Sequence, residues 1–415
     1  MRTVYECLPD PDLPAVVDRA APLIAWMAAE ARTTVAPDAI LGPLARELRA
    51  AGIPVDRLNI AVSAIHATRL GFGQTWTAEE EVETRDFPWD NRDSRAEYHA
   101  SPFYLAHQTG QWVCFRLEQA SDASFGVVAN LKARGFTHYA CMPMFFADGT
   151  DGGITFATCR PGGFAAGDLA LLRALEHSLT LLVDMKRQQH LLRETLAMYV
   201  GDEPQRRILS GAVRRGDVMA IRSAILFADM RGFTRLSSQM TAEETVLLLN
   251  RYYDCTVPAI EAAGGEVLKY IGDGILAIFR AEDDAEEGHD EAVCRAALGA
   301  AKACLDSVDQ DSAAHPEDMR FDVKLALHFG TVAYGNIGSG GRLDYTVVGM
   351  DVNIASRLVD LAGSLDRRLV ASDAFASAIT GHGFSCLGPQ VLRGVVDSTA
   401  VWDPIAQAAS EGQAP

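Results

Sequence analysis

The sequence lacks any long apolar run: no hydrophobic stretch approaches the roughly 18 residues that a membrane-spanning helix needs. Residues 1–12 also lack the apolar core of a signal peptide. Basic residues are scarce, with 37 Lys and Arg against 55 Asp and Glu, so the formal net charge is −18. That charge argues against nucleic acid or an anionic membrane as the main partner. We therefore predict a cytoplasmic protein that does not insert into membranes.

Cysteine pairs and phosphate-loop motifs are missing as well. The eight cysteines are scattered without CxxC spacing, which predicts reduced core residues and neither disulfides nor a cysteine metal site. The Gly-rich stretch 335–349 fits neither Gly-x-x-x-x-Gly-Lys-Ser/Thr nor, in the right context, Gly-x-Gly-x-x-Gly. We predict that this stretch forms two short strands around flexible, Gly-rich turns.

What the sequence does contain is a pair of aspartates at two predicted strand ends. Residues 223–228 are typical of a buried strand that delivers Asp229 to a turn, and residues 266–279 of a hairpin whose turn holds Asp273. Adjacent strands can bring the two carboxylates together, and Mg²⁺ takes such oxygen ligands and completes its shell with substrate phosphates. Either aspartate alone is common turn punctuation. The pair, with Lys269 four residues before Asp273, is far more specific.

A turn and a helix lie between the two aspartates. The Gly-Phe-Thr turn at 232–234 presents backbone N–H groups that can hold an anion. Thr241 is placed to cap the helix that follows, and Glu244 three residues on completes a capping box. Apolar residues keep helical spacing up to the Gly pair at 264–265, which predicts the end of the helix.

The rest of the chain predicts an α/β domain with one mixed sheet. A long helix over 290–308 and an alternating core strand over 321–330 are followed by a second helix over 350–361. The second helix presents Asn353 and Arg357 at i and i+4, so both side chains share one face and can reach the same ligand. The alternative is an exposed helix with a surface arginine.

Residues 220–405 resemble the catalytic domain of class III nucleotidyl cyclases in the order and spacing of these motifs. The resemblance implies two divalent cations, Mg²⁺ or Mn²⁺, held by Asp229, Asp273 and the backbone carbonyl of Met230. It also implies four contacts to the substrate triphosphate, at Gly232, Phe233, Thr234 and Arg393.

The resemblance assigns the nucleoside contacts too. Lys269 matches the base-selecting lysine of adenylate-specific members, whereas guanylate-specific members have Glu there. Thr346 falls at the second base-selecting position, as in a bacterial, bicarbonate-responsive subgroup. Asn353 and Arg357 match the pair that orients the ribose and stabilises the transition state. Because the family takes these residues and the metal aspartates from different subunits, the resemblance implies a homodimer with shared sites.

The predicted function is therefore an adenylate cyclase that converts ATP into 3′,5′-cyclic AMP and pyrophosphate. A guanylate cyclase is one alternative, against which Lys269 argues. A catalytically silent nucleotide-binding signalling module is another. A polymerase of the diguanylate cyclase type would need a Gly-Gly-Asp/Glu-Glu-Phe turn, and this chain has Tyr-Ile-Gly-Asp-Gly at 270–274.

The N-terminal half predicts an α+β layout that resembles a GAF-type sensory domain. The resemblance is centred on Gly135-Phe-Thr-His-Tyr-Ala-Cys-Met-Pro-Met and the Leu-rich helix after it. An unknown ligand of this domain is expected to regulate the enzyme. The predicted organisation is a helical segment at 1–35, the sensory domain at 36–185, a helical linker at 186–217, the catalytic domain at 218–405 and a disordered tail at 406–415.

Side chains of the N-terminal half leave two interpretations open. Four leucines of the predicted helix 169–197 step 3, 4, 3 and form a short heptad seam, namely Leu172, Leu175, Leu179 and Leu182. They are either the packed face of a domain helix or a parallel dimer helix that links sensor to effector. Candidate cofactor ligands, which are more often ordinary hydrogen-bonded residues, are His66, His99, His107 and His138. Three tryptophans are expected to fill core or pocket walls, namely Trp76, Trp89 and Trp112.

Overall fold

The structure, a computed structural model, describes residues 13–404 except 34–35, 37–38, 64–68, 80–81, 89–91, 282–288, 382 and 396–397. The predictions for His66, Trp89 and the tail 406–415 lie outside the described residues. The chain forms two compact units, Met1–Leu196 and Ala197–Pro415. No helix in the described part of the chain is long and apolar enough to cross a membrane.

The N-terminal unit is built on one six-stranded antiparallel sheet, in the order β3-β2-β1-β6-β5-β4. Its strands are β1 (Arg57–Ser63), β2 (Arg69–Thr77), β3 (Val82–Pro88), β4 (Val113–Arg116), β5 (His138–Phe145) and β6 (Asp151–Thr158). Its helices are α1 (Leu13–Trp26), which continues as a π-helical turn (Met27–Ala31), α2 (Leu41–Ala50), α3 (Arg92–His99), α4 (Pro102–Thr109), α5 (Val128–Ala133), α6 (Ala166–Ala174) and α7 (Glu176–Val200), which runs past the unit boundary. A short 3-10 turn covers Leu117–Gln119.

Each face of this sheet carries its own hydrophobic core. Inward residues such as Leu58, Met142 and Phe156 pack with α1, α2, α6 and α7, whereas Phe115 and Tyr139 face the side of α4 and α5. The predicted α+β class is confirmed. Strand β3 was not predicted, because nearly all of its residues are exposed and it has no apolar alternation.

The predicted helix 169–197 is two helices, and its leucine seam belongs to the domain core. Leu175 ends α6, and α7 starts one residue later. All four seam leucines are at most 5% exposed and pack in the core below α1 and α2, which favours the packed-face interpretation. The stretch 201–217, part of the predicted helical linker, contains helix α8 (Asp202–Leu209). Within α8, Arg206 and Arg207 both donate to the Glu203 carboxylate.

The three candidate cofactor histidines that the structure describes, His99, His107 and His138, are held by hydrogen bonds or ring contacts. His138 is completely buried, accepts the Phe164 N–H at Nδ1 and lies 3.3 Å from Cys114 Sγ. His107 Nε2 lies 2.7 Å from the Gly152 carbonyl oxygen. Among the residues described, no group of three or more His, Cys, Asp or Glu side chains is arranged to hold a metal.

The described cysteines are all free. Five are buried, as expected for reduced core residues, but Cys159 and Cys386 are exposed, which corrects the prediction that all are core residues. Trp76 is buried, and the Trp112 indole donates to Glu176.

The C-terminal unit contains an eight-stranded mixed sheet, in the order β13-β14-β12-β10-β7-β9-β8, with β11 paired to β10. Its strands are β7 (Val218–Met230), β8 (Glu266–Ile271), β9 (Gly274–Arg280), β10 (Val323–Ser339), β11 (Arg342–Val348), β12 (Leu369–Ser372), β13 (Ser385–Gln390) and β14 (Thr399–Asp403). Its further helices are α9 (Phe233–Ser237), α10 (Ala242–Ala262), α11 (His289–Ala314), α12 (Met350–Ser364) and α13 (Asp373–Ala378), with a 3-10 turn at Glu317–Met319.

Strand β7 sits in the middle of this sheet and separates two cores. Ala224 and Leu226 point to the side covered by α10 and α11, and Ile225 and Phe227 to the side covered by α12. Side chains alternate along a strand, so Asp229 falls on the α12 side. The pairing of β10 with β12 is parallel and the other pairings are antiparallel, which confirms the predicted mixed sheet.

Candidate active site

The two predicted aspartates lie together at neighbouring strand ends. Asp229 is the next-to-last residue of β7, and Asp273 lies in the two-residue turn between β8 and β9. Strand β9 pairs with β7, with Ala228 opposite Ile275, so the turn meets the end of β7. Burial and the adjacent Asp229 carboxylate together raise the pKa of Asp273 to about 6, and hydrogen bonds from the backbone N–H groups of Asp273 and Met230 oppose the rise. The two carboxylates therefore occupy one small, partly desolvated volume.

Lys324 is a third member of this cluster that the sequence analysis did not single out. It lies directly across from Asp229 in the pairing of β10 with β7, and its Nζ is 2.7 Å from Asp229 Oδ2. A lone lysine in an otherwise apolar alternating strand, next to the strand that carries Asp229, was the available signal. Its charge offsets part of the repulsion between the two carboxylates.

Two tyrosines of α10 border the aspartate pair. The Tyr253 hydroxyl donates to the Gly272 carbonyl at 2.6 Å and so fixes the turn that carries Asp273. Tyr252 is completely buried, and no described group hydrogen-bonds to its hydroxyl. Burial raises the pKa of Tyr252, and the negative charge of Asp229 adds to the shift.

This donor set fits a hard divalent cation. It offers carboxylate oxygens that repel each other, and a cation would relieve that repulsion. Because the described residues bring only Asp229 and Asp273 together, the remaining ligands of a cation would have to be water, backbone carbonyls or substrate phosphates.

The turn after β7 leaves several backbone donors unused. Gly232 has a φ of 69°, which favours glycine, and begins the short helix α9. No described hydrogen bond uses the N–H groups of Gly232, Phe233 or Thr234. The adjacent Arg231 fixes the turn, since its side chain donates to Asp366 at 2.9 Å and its N–H to the Asp322 carbonyl.

A second group of candidate residues lies where β8 and β11 meet. Lys269, just after a bulge in β8, donates to Asp344 of β11. Thr346 lies two residues further along β11, so it shares a face with Asp344, and it is buried. The structure therefore brings the two candidate base-selecting residues to one place. Asp344 was not predicted, and only its position next to Thr346 hinted at it.

Helix α12 presents Asn353 and Arg357 on an exposed face, and the ion-pair partner described for Arg357 is Asp360, at 3.6 Å. The first turn of the helix is anchored by Asp351, which accepts the Thr331 N–H at 2.8 Å and lies 3.1 Å from His328 Nε2. Burial lowers the pKa of His328 while Asp351 opposes the shift. Asp351 therefore fixes the position of the first turn of α12, from which the exposed face with Asn353 and Arg357 continues.

Three candidate residues, Asn353, Arg357 and Arg393, have no described contact with the two carboxylates. No described hydrogen bond or ion pair joins Asn353, Arg357 or Arg393 to Asp229 or Asp273. Arg393 is exposed in a turn after β13, and β14, β12 and β10 lie between that strand and β7. A single chain thus holds the candidate residues in separate groups.

Comparison with known families gives a match for the part of the chain that contains these groups. Residues 221–397 match the family described as "Adenylate and Guanylate cyclase catalytic domain". This region is a class III cyclase catalytic domain. Every site residue proposed from the sequence lies within the matched range.

The chain is also similar to individual curated proteins. It is 37% identical over 143 residues to an adenylate cyclase of Anabaena cylindrica, which covers 34% of this chain and 27% of that protein. It is 33% identical over 188 residues to adenylate cyclase 1 of Rhizobium meliloti, and the alignment covers 43% of this chain and 27% of that protein. An uncharacterized protein of Mycobacterium tuberculosis is 31% identical over 253 residues, and the alignment covers 58% of this chain and 43% of that protein. The chain thus spans less than half the length of these curated relatives.

Among solved structures, the chain is similar to a bacterial light-regulated adenylyl cyclase, with 26% identity and a TM-score of 0.39 over 45% of this chain and 91% of the other. It is also similar to the adenylyl cyclase CyaB from P. aeruginosa, with 24% identity and a TM-score of 0.40 over 47% of this chain and 100% of the other.

Proposed function

We propose that the protein is an adenylate cyclase that acts as a homodimer with two shared sites. The observation that carries the proposal is the pair Asp229 and Asp273, which the sheet holds together although burial and the neighbouring Asp229 disfavour the charge of Asp273. The reaction joins the ribose 3′-oxygen to the α-phosphorus and breaks the bond between that phosphorus and the bridging oxygen. Pyrophosphate leaves, and the 3′-hydroxyl proton passes to solvent.

Asp229, Asp273 and the Met230 carbonyl are proposed to hold two divalent cations, Mg²⁺ or Mn²⁺. When bound, such cations lower the pKa of a coordinated hydroxyl and anchor phosphates. The unused N–H groups of Gly232, Phe233 and Thr234 lie next to Asp229 and can donate to phosphate oxygens. Lys324 can turn from Asp229 to the phosphates, because these approach the same carboxylates.

Lys269 and Thr346 are proposed to select adenine. The Lys269 ammonium can donate to adenine N1, and the Thr346 hydroxyl can accept from the exocyclic amine, whereas guanine presents the opposite pattern at those edges. Asp344 supports this role, because it holds the Lys269 side chain beside Thr346. The similarity of this chain to two adenylate cyclases supports the choice of adenine rather than guanine.

Asn353 and Arg357 are proposed to act on the substrate held by the other copy. Their exposed face on α12, with no described link to the carboxylates, supports a site completed across a two-fold axis. The Arg357 guanidinium would stabilise the negative charge that develops on the α-phosphate oxygens, and Asn353 would orient the ribose. Arg393 is proposed to contact the terminal phosphates.

The N-terminal unit is proposed to be a GAF-like regulatory domain. Its antiparallel sheet, with helices on both faces, supports a sensor that binds an as yet unidentified ligand. Such a domain would act by changing how the two catalytic domains meet.

The test uses the purified full chain with Mn²⁺ or Mg²⁺, given ATP or GTP separately, with products identified by chromatography. We expect cyclic AMP from ATP, and a loss of at least about 1,000-fold in Asp229→Asn, because a lost cation ligand removes charge stabilisation and positioning together. The matched control is Asp306→Asn, an exposed aspartate on α11, which should keep normal turnover. Near-normal turnover in Asp229→Asn would remove the two-cation assignment. Cyclic GMP as the main product would move the proposal to a guanylate cyclase.

A further inference from the structure

Helix α7 carries a second heptad pattern that the N-terminal core does not use. The four predicted seam leucines are buried, but another set steps 3, 4, 3, 4, 3 along the opposite side of the helix, namely Ser178, Leu181, Met185, Gln188, Leu192 and Thr195. Leu181 is 72% exposed and Leu192 is 52% exposed. The heptad count continues to Tyr199, which is 84% exposed. Apolar residues at this spacing are typical of a helix that pairs with another helix.

A groove of about 240 Å³ runs beside the first half of this seam, between α7 and the end of α1. Ser178, Leu181 and Met185 form one wall, and Ile24 and Met27 form the other. Most of the lining is apolar. A second helix that packs on the seam would therefore also contact α1.

The charge pattern of the seam fits a second copy of the same chain. In a parallel, in-register pair, each residue on the two-fold axis faces its own copy, so any charge there would repel itself. None of the six seam residues is charged. The exposed charge on α7, Arg193, lies off the seam, and Arg32 lines the α1 side of the groove. A charged partner surface would have nothing on this seam to complement.

The length of the seam also suits a dimer contact. Residues 178–195 cover about 26 Å of helix at a rise of about 1.5 Å per residue. The groove and the exposed side of α1, which includes Val17, widen the surface. A continuous strip of this length can supply a large part of the roughly 800 Å² that each partner contributes to a standard interface. Three of the six residues are polar, and polar residues in a seam set its register and make it weaker.

We propose that α7 pairs in parallel and in register with α7 of a second copy, through the seam from Ser178 to Thr195. The contact gives the homodimer of the proposed function a defined surface in the N-terminal unit. The argument itself uses only residues of that unit. Its failure and that of the catalytic proposal can therefore be told apart.

The test compares Leu192→Cys, on the seam, with the adjacent Arg193→Cys, off the seam, in the full chain under mild oxidation. We expect a covalent dimer from Leu192→Cys and at least about tenfold less from Arg193→Cys, because a disulfide needs Cβ atoms within about 4.5 Å. The unmodified chain sets the background from the exposed Cys159 and Cys386. Cross-linking reports where the copies touch, so a dimer held only by the catalytic domains would not give this result.

Direction is tested by mixing Leu181→Cys with Leu192→Cys. In an antiparallel pair centred on the seam, these two positions face each other, so a strong mixed cross-link without the Leu192→Cys homodimer would overturn the parallel arrangement. Equal cross-linking at Leu192 and Arg193 would overturn the seam itself. Cross-linking is also measured in Asp229→Asn, where it should be unchanged even if the cyclase assignment is wrong.

Discussion

Asp148 in the N-terminal unit and Asp273 in the C-terminal unit have pKa values displaced in opposite directions. Asp148 accepts two hydrogen bonds from Thr150 and one from Arg187, and these contacts lower its pKa to about 2. Asp273 is partly buried beside Asp229, and its pKa is raised to about 6. The first carboxylate stabilises its fold in the charged form, whereas the second is charged at the expense of stability.

The same contrast extends to the neighbouring cations. Arg187 is almost completely buried, pairs with Asp148 and Asp184, and lies 4.4 Å from the centre of the Phe146 ring. Arg357 is exposed, with an ion pair to Asp360 at 3.6 Å. Charged groups that are paired within one unit, such as Arg187 with Asp148, stabilise its fold. A carboxylate whose pKa is raised, or an exposed guanidinium, indicates where another molecule binds. The predictions below test this distinction.

The largest expected effect comes from mixing two inactive variants. Asp229→Asn and Arg357→Ala should each lose at least about 1,000-fold in cyclase turnover, because each removes transition-state stabilisation. If the site is shared, co-refolded mixtures should regain about a quarter of normal activity, since half of the dimers then carry one intact site. The measurement is cyclic AMP formation against the mixing ratio.

Arg187→Met in the N-terminal unit is the counterpart. It should lower the melting temperature while folded protein keeps its turnover. Mixtures that stay inactive would place all catalytic residues in one chain. A loss of turnover in Arg187→Met without loss of stability would break the comparison between the two units.

A smaller effect is expected from filling a glycine position in each unit. A Cβ at Gly330 would lie 2.3 Å from Asp351, the residue that anchors α12. Gly330→Ala should therefore displace Arg357 and lower kcat by about 10- to 100-fold with a modest change in KM. Gly153→Ala places a Cβ 2.6 Å from Phe103 and should lower stability only.

Gly299→Ala controls for the substitution itself, because nothing lies within 4 Å of a Cβ at that helical position. It should raise stability by about 0.5–1 kcal/mol. Steady-state kinetics and thermal melts distinguish the three variants. An unchanged kcat in Gly330→Ala would mean that the anchor does not position Arg357.

The sequence predicted those parts of the fold that have a periodic or capped pattern. The hairpin of β8 and β9 and the capped helix α10 are found close to their predicted bounds. The polar edge strand β3 and the split at Leu175 were missed, because neither interrupts the hydrophobic pattern in a way that a single sequence reveals. For the site, strand ends predicted that Asp229 and Asp273 would meet. The placement of Lys324 and Asp344 in the site depends on strand register, which the pairing of distant strands determines.

The two displaced carboxylates give a prediction for stability against pH in metal-free protein. Asp273 has a raised pKa, so its charge lowers stability as pH rises from about 4 through about 6. Asp273→Asn should thus raise stability, by about 1 kcal/mol at pH 8 after allowing for partial exposure, and by less at pH 5. Asp148 has a lowered pKa, so its contribution is fully present above about pH 4 and is lost only as pH falls towards 2. Asp148→Asn should therefore lower stability equally at pH 5 and pH 8.

Thermal melts in EDTA at pH 5 and pH 8 measure both variants, with Asp306→Asn as a neutral surface control. The decisive quantity is the sign of the change in melting temperature for each variant, and the difference in that change between pH 5 and pH 8. A destabilised Asp273→Asn at pH 8 would mean that the aspartate pair supports the fold, and the contrast with Asp148 would disappear.

The smallest effect compares one helix cap from each unit. Thr241 accepts the Glu244 N–H at 3.2 Å, and Glu244 accepts the Thr241 N–H at 2.8 Å, so the cap of α10 is reciprocal. Ser101 caps α4 with one bond of 3.4 Å to the Tyr104 N–H. Thr241→Ala should cost about 1 kcal/mol and Ser101→Ala about half of that, because the bond that Thr241 accepts from the helix N–H is shorter, at 3.2 Å against 3.4 Å, and belongs to a reciprocal cap. Hydrogen exchange in the first turns of α10 and α4 reads each helix separately, and a larger loss of protection in α4 would reverse the expected order. Since α10 carries Tyr253, which holds the Asp273 turn, Thr241→Ala should also reduce turnover slightly, whereas Ser101→Ala should leave it unchanged.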